Sequence, residues 1–104
     1  MKIYKGEREM AKVRVITNEV LQRVDRADQV LSNWMRANGI YEIDPEGCMS
    51  KLVESGIYKY DSKNKGHHFR EDLRTLRDNN KLDLFTNLVI EQNKPRSRWL
   101  IKLK

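Results

Sequence analysis

Apolar side chains recur every three or four positions between Val20 and Met35, which is the spacing of one face of an α-helix. Thr17 is a typical N-cap at the start of this pattern, and Gly39 is a typical left-handed residue after its end. The pattern therefore predicts a long amphipathic helix over residues 17–39.

A second, shorter helix is predicted to begin at Asp44 and Pro45. A carboxylate in the capping position followed by proline at the first helical position is a frequent start signal. An apolar stripe follows, and Ser55-Gly56 ends it. The stripe consists of Met49, Leu52 and Val53.

The stretch "HHFREDLRTLRDNN", residues 67–80, predicts a third helix with two rows of side chains. Its apolar row is Phe69, Leu73 and Leu76. Each residue of the apolar row is followed directly by an arginine, so the helix also carries a basic row beside the apolar one. The basic row is Arg70, Arg74 and Arg77.

The last part of the chain changes to a period of two, which is typical of strands. Leucines alternate with a polar residue over 82–84, and strand-like alternation returns over 88–90 and 99–103. The turn-rich stretch "EQNKPRSR" joins the last two, so we expect a C-terminal β-hairpin with a basic tip that carries Lys94, Arg96 and Arg98. Short extended segments are also predicted for "AKVRVIT", "IYEI" and "IYKYD".

The chain carries a net charge of +6, and this charge is unevenly distributed. Residues 1–16 form a basic N-terminal segment, the middle of the chain is neutral to acidic, and residues 62–104 hold eleven Lys and Arg against five Asp and Glu. A basic patch of this kind suits a polyanionic partner, of which nucleic acid is the most frequent. The alternative is an ordinary solvated basic surface.

The 104 residues predict a single domain, and no apolar run is long enough to cross a membrane. The N-terminus lacks the features of a signal peptide. One cysteine, Cys48, excludes an internal disulfide and suits a reducing compartment, so we expect a cytoplasmic protein with a buried thiol at this position.

The order of long helix, short helix, basic helix and hairpin resembles the winged helix-turn-helix fold over residues 44–103, with helix 17–39 as its support. The resemblance is carried by "FREDLRTLRDNNKL" and by "RSRWLIKL", which would be the returning wing strand. It is closest to winged-helix domains of phage and bacterial regulators and to those appended to restriction endonucleases. It implies an α+β, mainly helical fold and DNA binding. One departure is the stretch of about eleven residues between the second and third helices, where three or four are usual.

In such a protein the third helix would enter the major groove, where arginine can bond guanine O6 and N7 together. The hairpin tip would follow the phosphate backbone, and residues around the start of the helix would hold a phosphate. Glu71 and Thr75 flank the arginine row and could contact bases. The predicted nucleic-acid-binding residues are Lys63, Lys65, His67, His68, Arg70, Arg74, Thr75, Arg77, Lys94, Arg96 and Arg98.

Each of these residues also has a simpler interpretation. The arginines could simply form a solvated helix face, with local ion pairs to Glu71, Asp72 or Asp78. His67 and His68 do not share a helix face, so no metal and no other cofactor is predicted. Trp34 and Trp99 are expected in the core, although an exposed Trp99 could stack on a base.

No catalytic motif is present that would define an enzyme. The nearest candidate, Asp83 with Glu91, lacks the lysine of a nuclease pattern. The predicted function is therefore DNA binding by a small basic regulator, with duplex DNA as partner. A protein-interaction module of the phage inhibitor or adaptor type and an RNA-binding protein remain alternatives. Helix 17–38 could also form a homodimer surface.

Overall fold

The computed structural model describes residues 14–60, 62–63, 65–93 and 98–104, and these form an α+β fold, as predicted. A single 3-10 turn covers Leu82–Leu84. The described helices are α1 (Asn18–Asn38), α2 (Pro45–Glu54) and α3 (His67–Asp78). The described strands are β1 (Glu42–Ile43), β2 (Leu88–Asn93) and β3 (Arg98–Leu103).

The helix ends form as the sequence predicts. The hydroxyl of Thr17 accepts a hydrogen bond of 3.2 Å from the backbone N–H of Val20, which caps α1. At the other end of α1, Gly39 has a φ of +66°, in the left-handed region. The Asp44 carboxylate caps α2 through a 2.8 Å hydrogen bond from the N–H of Gly47.

The three strands form an antiparallel sheet in the order β1-β3-β2. Ile101 of β3 lies opposite Ile90 of β2 on one side and opposite Ile43 of β1 on the other. This confirms the predicted hairpin and the brief extended segment in "IYEI". The hairpin tip, with Lys94 and Arg96, lies outside the described residues.

Residues 82–84 form a 3-10 turn, so the predicted strand at this position is wrong. The N–H of Leu84 bonds to the carbonyl of Lys81, and the N–H of Phe85 bonds to that of Leu82. The turn brings the Phe85 side chain, which is 2% exposed, into the core directly after α3. Residues 82–84 therefore do not pair with a strand, and their turn places the Phe85 ring in the core instead.

One other predicted extended segment is corrected, and a third lies partly outside the described residues. In "IYKYD", residues 57–60 form no strand, because Ile57 closes the end of α2 through a bond to the carbonyl of Leu52. The Ile57 and Tyr58 side chains are buried in the core instead of lying on a sheet. In "AKVRVIT", residues 14–17 contain no strand, and residues 11–13 lie outside the described part of the chain.

One hydrophobic core joins the apolar faces of all three helices and the inner face of the sheet. Trp99 is 3% exposed and packs in this core, which confirms the packing prediction and excludes an exposed ring that stacks on a base. Trp34 is partly buried against the same core. Among the described residues, no helix is both long enough and apolar enough to cross a membrane.

Asp28 of α1 is buried, although its residue type is usually exposed. Its carboxylate accepts hydrogen bonds from the Thr86 hydroxyl and from the backbone N–H and side-chain amide of Asn87, at 2.8 to 3.0 Å. These bonds compensate for burial of the charge, and they fasten the chain between the 3-10 turn and β2 to the middle of α1.

Candidate nucleic-acid interface

Helix α3 divides into a buried side and a solvent side. Phe69, Leu73 and Leu76 are fully buried, as the apolar row predicts. Twelve residues give the helix a length of about 18 Å at 1.5 Å per residue. The side turned away from the core carries the three arginines of the basic row, which are half-buried to exposed.

The buried side of α3 is held in place by Asp72. The Arg23 guanidinium of α1 donates two hydrogen bonds to its carboxylate, from Nε at 2.8 Å and from a terminal nitrogen at 3.1 Å. The Tyr58 hydroxyl donates a third at 2.6 Å. The hydrogen bond to Asp72 raises the pKa of Arg23, and burial raises the pKa of Tyr58 far above its usual range. This cluster therefore ties α3 to α1 and to the connection that precedes it.

The arginines on the solvent side all have local partners. Arg70 donates a hydrogen bond to the carbonyl of Lys65. Arg74 pairs with Glu71 at 2.6 Å, and Nε of Arg77 pairs with Asp78 at 3.0 Å. The last two contacts are ion pairs of the kind that the solvated-face interpretation predicts.

The ion pairs do not prevent the arginines from binding a ligand. The side chains of Arg74 and Arg77 are 32% and 39% exposed, so water and salt screen both pairs. Exposed pairs of this type contribute roughly 0–1 kcal/mol each to stability. A phosphate or a guanine edge can therefore replace the carboxylate at little cost.

Arg77 also connects α3 to the hairpin. One of its terminal nitrogens donates a 3.0 Å hydrogen bond to the side-chain carbonyl of Gln92 in β2. Its guanidinium carbon lies 5.7 Å from the centre of the Trp99 ring in β3, which is within cation–π range. Gln92 and Trp99 are paired in register, one step before the pair of Asn93 with Arg98. The basic side of α3 and the tip-proximal end of the hairpin are therefore adjacent.

The prediction for Thr75 is corrected by the structure. Its side chain is 8% exposed, and its hydroxyl donates a hydrogen bond to the carbonyl of Glu71 within the helix. A buried methyl group and an occupied hydroxyl leave no group to contact a base. Thr75 is a packing residue, and we remove it from the candidate set.

The remaining predicted residues that the structure describes lie around the start of α3 or at the start of β3. Lys63, Lys65 and His68 are exposed around the start of α3, where His67 is half-buried. Arg98 is exposed at the start of β3. Arg98 directly precedes Trp99, whose ring the Arg77 guanidinium contacts. Because side chains alternate along a strand, the exposed Arg98 side chain lies on the opposite face of β3 from that ring.

Sequence reasoning missed Arg14, which lies before α1 and contacts the solvent side of α3. One of its terminal nitrogens is 3.0 Å from Glu71, and its Nε is 3.4 Å from Asp78. The side-chain amide of Asn79 donates a 2.8 Å hydrogen bond to its carbonyl oxygen. These residues are more than 50 positions apart, and no local pattern joins them.

Cys48 is fully buried in the core, as predicted. Burial raises the pKa of its thiol from 9.0 to about 12, and the nearby Asp44 carboxylate acts in the same direction. Within the described ranges, no three His, Cys, Asp or Glu side chains are grouped so that they could hold a metal ion.

Comparison of this chain with protein-family models, with curated proteins and with solved structures found no match.

Proposed function

We propose that this protein binds duplex DNA as a winged helix-turn-helix domain, with α3 in the major groove and the β2–β3 hairpin on the phosphate backbone. A single observation carries the proposal: Arg77 connects the arginine row of α3 to the hairpin. The two elements that would contact DNA are therefore held together on one side of the molecule.

The order of elements supports the same proposal. A long helix, a short helix and an arginine-bearing helix are followed by an antiparallel hairpin, which is the order on which the resemblance rests. The long connection between α2 and α3 is compatible with close packing of these two helices. Gly66, at the start of α3, lies so close to α2 that an added Cβ would be 3.3 Å from the backbone nitrogen of Glu46. Tyr58 anchors the first part of the connection through Asp72.

The chemistry of the surface suits DNA. The major groove admits an α-helix, and the planar guanidinium can form two hydrogen bonds to guanine or to a phosphate. Ion pairs with Glu71 and Asp78 hold Arg74 and Arg77 on the solvent side of the helix. Because these pairs are exposed, DNA phosphates can take the place of the carboxylates.

The test is a titration of fluorescent duplex DNA, read by anisotropy at about 50 mM and about 200 mM salt. The wild type is compared with the variant Arg70→Ala, Arg74→Ala, Arg77→Ala. A second variant, Arg26→Ala, Arg36→Ala, Lys51→Ala, loses the same charge from α1 and α2 instead of from α3. Circular dichroism and thermal unfolding check that both variants fold.

We expect binding by the wild type that weakens at the higher salt concentration. The α3 variant should lose roughly tenfold or more in affinity, because each base-directed arginine contributes about 1–3 kcal/mol. The α1/α2 variant should lose much less. Equal losses in the two folded variants would contradict the proposal, as would a wild type that does not bind duplex. Single-stranded RNA that competes better than the duplex would favour RNA as the partner.

A further inference from the structure

Among the residues that the structure describes, Arg14 is the one member of an ion-pair network on the solvent side of α3 that comes from outside this helix. Glu71 is shared between Arg74 at 2.6 Å and Arg14 at 3.0 Å. Asp78 is shared between Arg77 at 3.0 Å and Arg14 at 3.4 Å. We call the chain Arg74–Glu71–Arg14–Asp78–Arg77 the α3 charge network.

The network places carboxylates on the surface that the proposed function assigns to DNA. Without Arg14, two arginines and two carboxylates would give this part of the helix no net charge. Each carboxylate would then have a single partner in the network, which would be one of the DNA-directed arginines. Release of Arg74 or Arg77 to DNA would leave a carboxylate without a partner beside the phosphates, where like charges repel.

We propose that Arg14 is a positioning residue for nucleic-acid binding, and that it holds Glu71 and Asp78 while Arg74 and Arg77 move to the DNA. This inference rests on the proposed function. Arg14 gives both carboxylates a second cation, so they stay paired when the helix arginines leave them. It also changes the net charge of the network from zero to positive.

The anchoring of the Arg14 backbone supports this role. The side-chain amide of Asn79, directly after α3, bonds to the carbonyl oxygen of Arg14, and also to the carbonyl of Thr75 within the helix. The chain is therefore fastened to the end of α3 next to the carboxylates. Because the backbone is already held there, the bridge to the two carboxylates costs side-chain entropy but little further backbone entropy.

The experiment compares Arg14→Gln with Arg36→Gln, which removes the same charge from an exposed position near the end of α1. Duplex affinity is measured by anisotropy at about 50 mM salt. We expect Arg14→Gln to weaken binding by roughly tenfold, and Arg36→Gln by about twofold or less, because only Arg14 lies within the network.

A variant without the carboxylates distinguishes this role from a merely structural one. In the background Glu71→Gln, Asp78→Asn, the substitution Arg14→Gln should change affinity by about twofold or less, since Arg14 has no carboxylate left to hold. A tenfold loss that persists in this background would show that Arg14 acts by another route, and would overturn the inference.

The inference and the proposed function can fail separately. If the wild type binds duplex and Arg14→Gln weakens binding no more than Arg36→Gln, the inference is wrong and the proposed function stands. If the wild type does not bind duplex at all, both are wrong.

Discussion

The Tyr58 hydroxyl donates a 2.6 Å hydrogen bond to Oδ2 of Asp72, and this bond joins the connection before α3 to the buried side of α3 itself. Asp72 is 5% exposed, so its charge requires partners inside the protein. Arg23 supplies the opposite charge from α1. The orientation of α3 therefore depends on a buried polar cluster as well as on its apolar row.

Substitution of Tyr58→Phe should test this cluster. It removes one hydrogen bond to a buried carboxylate and leaves the ring in place, so we expect the free energy of unfolding to fall by about 1–2 kcal/mol. Urea denaturation measures the change. Tyr60→Phe is the matched control, because Tyr60 is 65% exposed and its substitution should be nearly neutral. A Tyr58→Phe variant as stable as the control would show that the bond contributes nothing.

Asp28→Ala should destabilise the protein more than a surface substitution does. Its carboxylate accepts three hydrogen bonds from Thr86 and Asn87, so its removal leaves these donors without their partner. The expected loss is roughly 2–3 kcal/mol in the free energy of unfolding. Asp25→Ala, on the exposed side of α1, is the control and should change stability by less than about 0.5 kcal/mol. Equal stability of the two variants would contradict this role of Asp28.

Cys48 should make stability depend on pH in the alkaline range. Because burial raises the pKa of the folded thiol to about 12, the thiol ionises first in the unfolded chain, near its ordinary value of 9.0. The contribution of the buried, protonated thiol to the free energy of unfolding is fully present below pH 9, and it is lost as pH rises towards 12.

Urea denaturation at pH 8 and at pH 10 measures this effect. Between these values the wild type should lose about 1.4 kcal/mol more than Cys48→Ala. Each protein is compared with itself across pH, so the lower starting stability of the variant does not affect the result. If the free energy of unfolding falls by the same amount in the wild type and in Cys48→Ala, the fold does not shield the Cys48 thiol from ionisation.

The helices could be predicted from the sequence because their signals are local. The hydroxyl of Thr17, the carboxylate of Asp44 and the left-handed backbone of Gly39 act within four residues of their own positions. The apolar spacing then identifies the buried face of each helix. The same reasoning placed the basic row of α3 on its solvent side.

Other features depend on distant parts of the chain and could not be predicted. Leu82 and Leu84 alternate with Asp83 as a strand would, but the burial of Phe85 favours a 3-10 turn. Thr75 lies directly after Arg74, and only tertiary packing decides that its side chain is buried.

Some residues of the candidate site could be predicted from a local pattern, and others lie there only because distant parts of the chain contact each other. The arginines of α3 follow from their spacing, whereas Arg14 reaches Glu71 across 57 positions of sequence. The link from Arg77 to Gln92 needs the hairpin to fold back against the end of α3. No pattern in either segment alone indicates these contacts.

In the proposed mode of binding, the solvent side of α3 and the adjacent hairpin form the DNA-binding surface. The most direct test is a series of ¹⁵N–¹H NMR correlation spectra, recorded as duplex DNA is added to the wild type. We expect the largest shifts at the side-chain Nε–H groups of Arg74 and Arg77 and at the backbone of Arg98. Asp25 and Arg36, on the exposed side of α1, should shift little. Shifts confined to α1, or spectra that do not change, would contradict DNA binding through this surface.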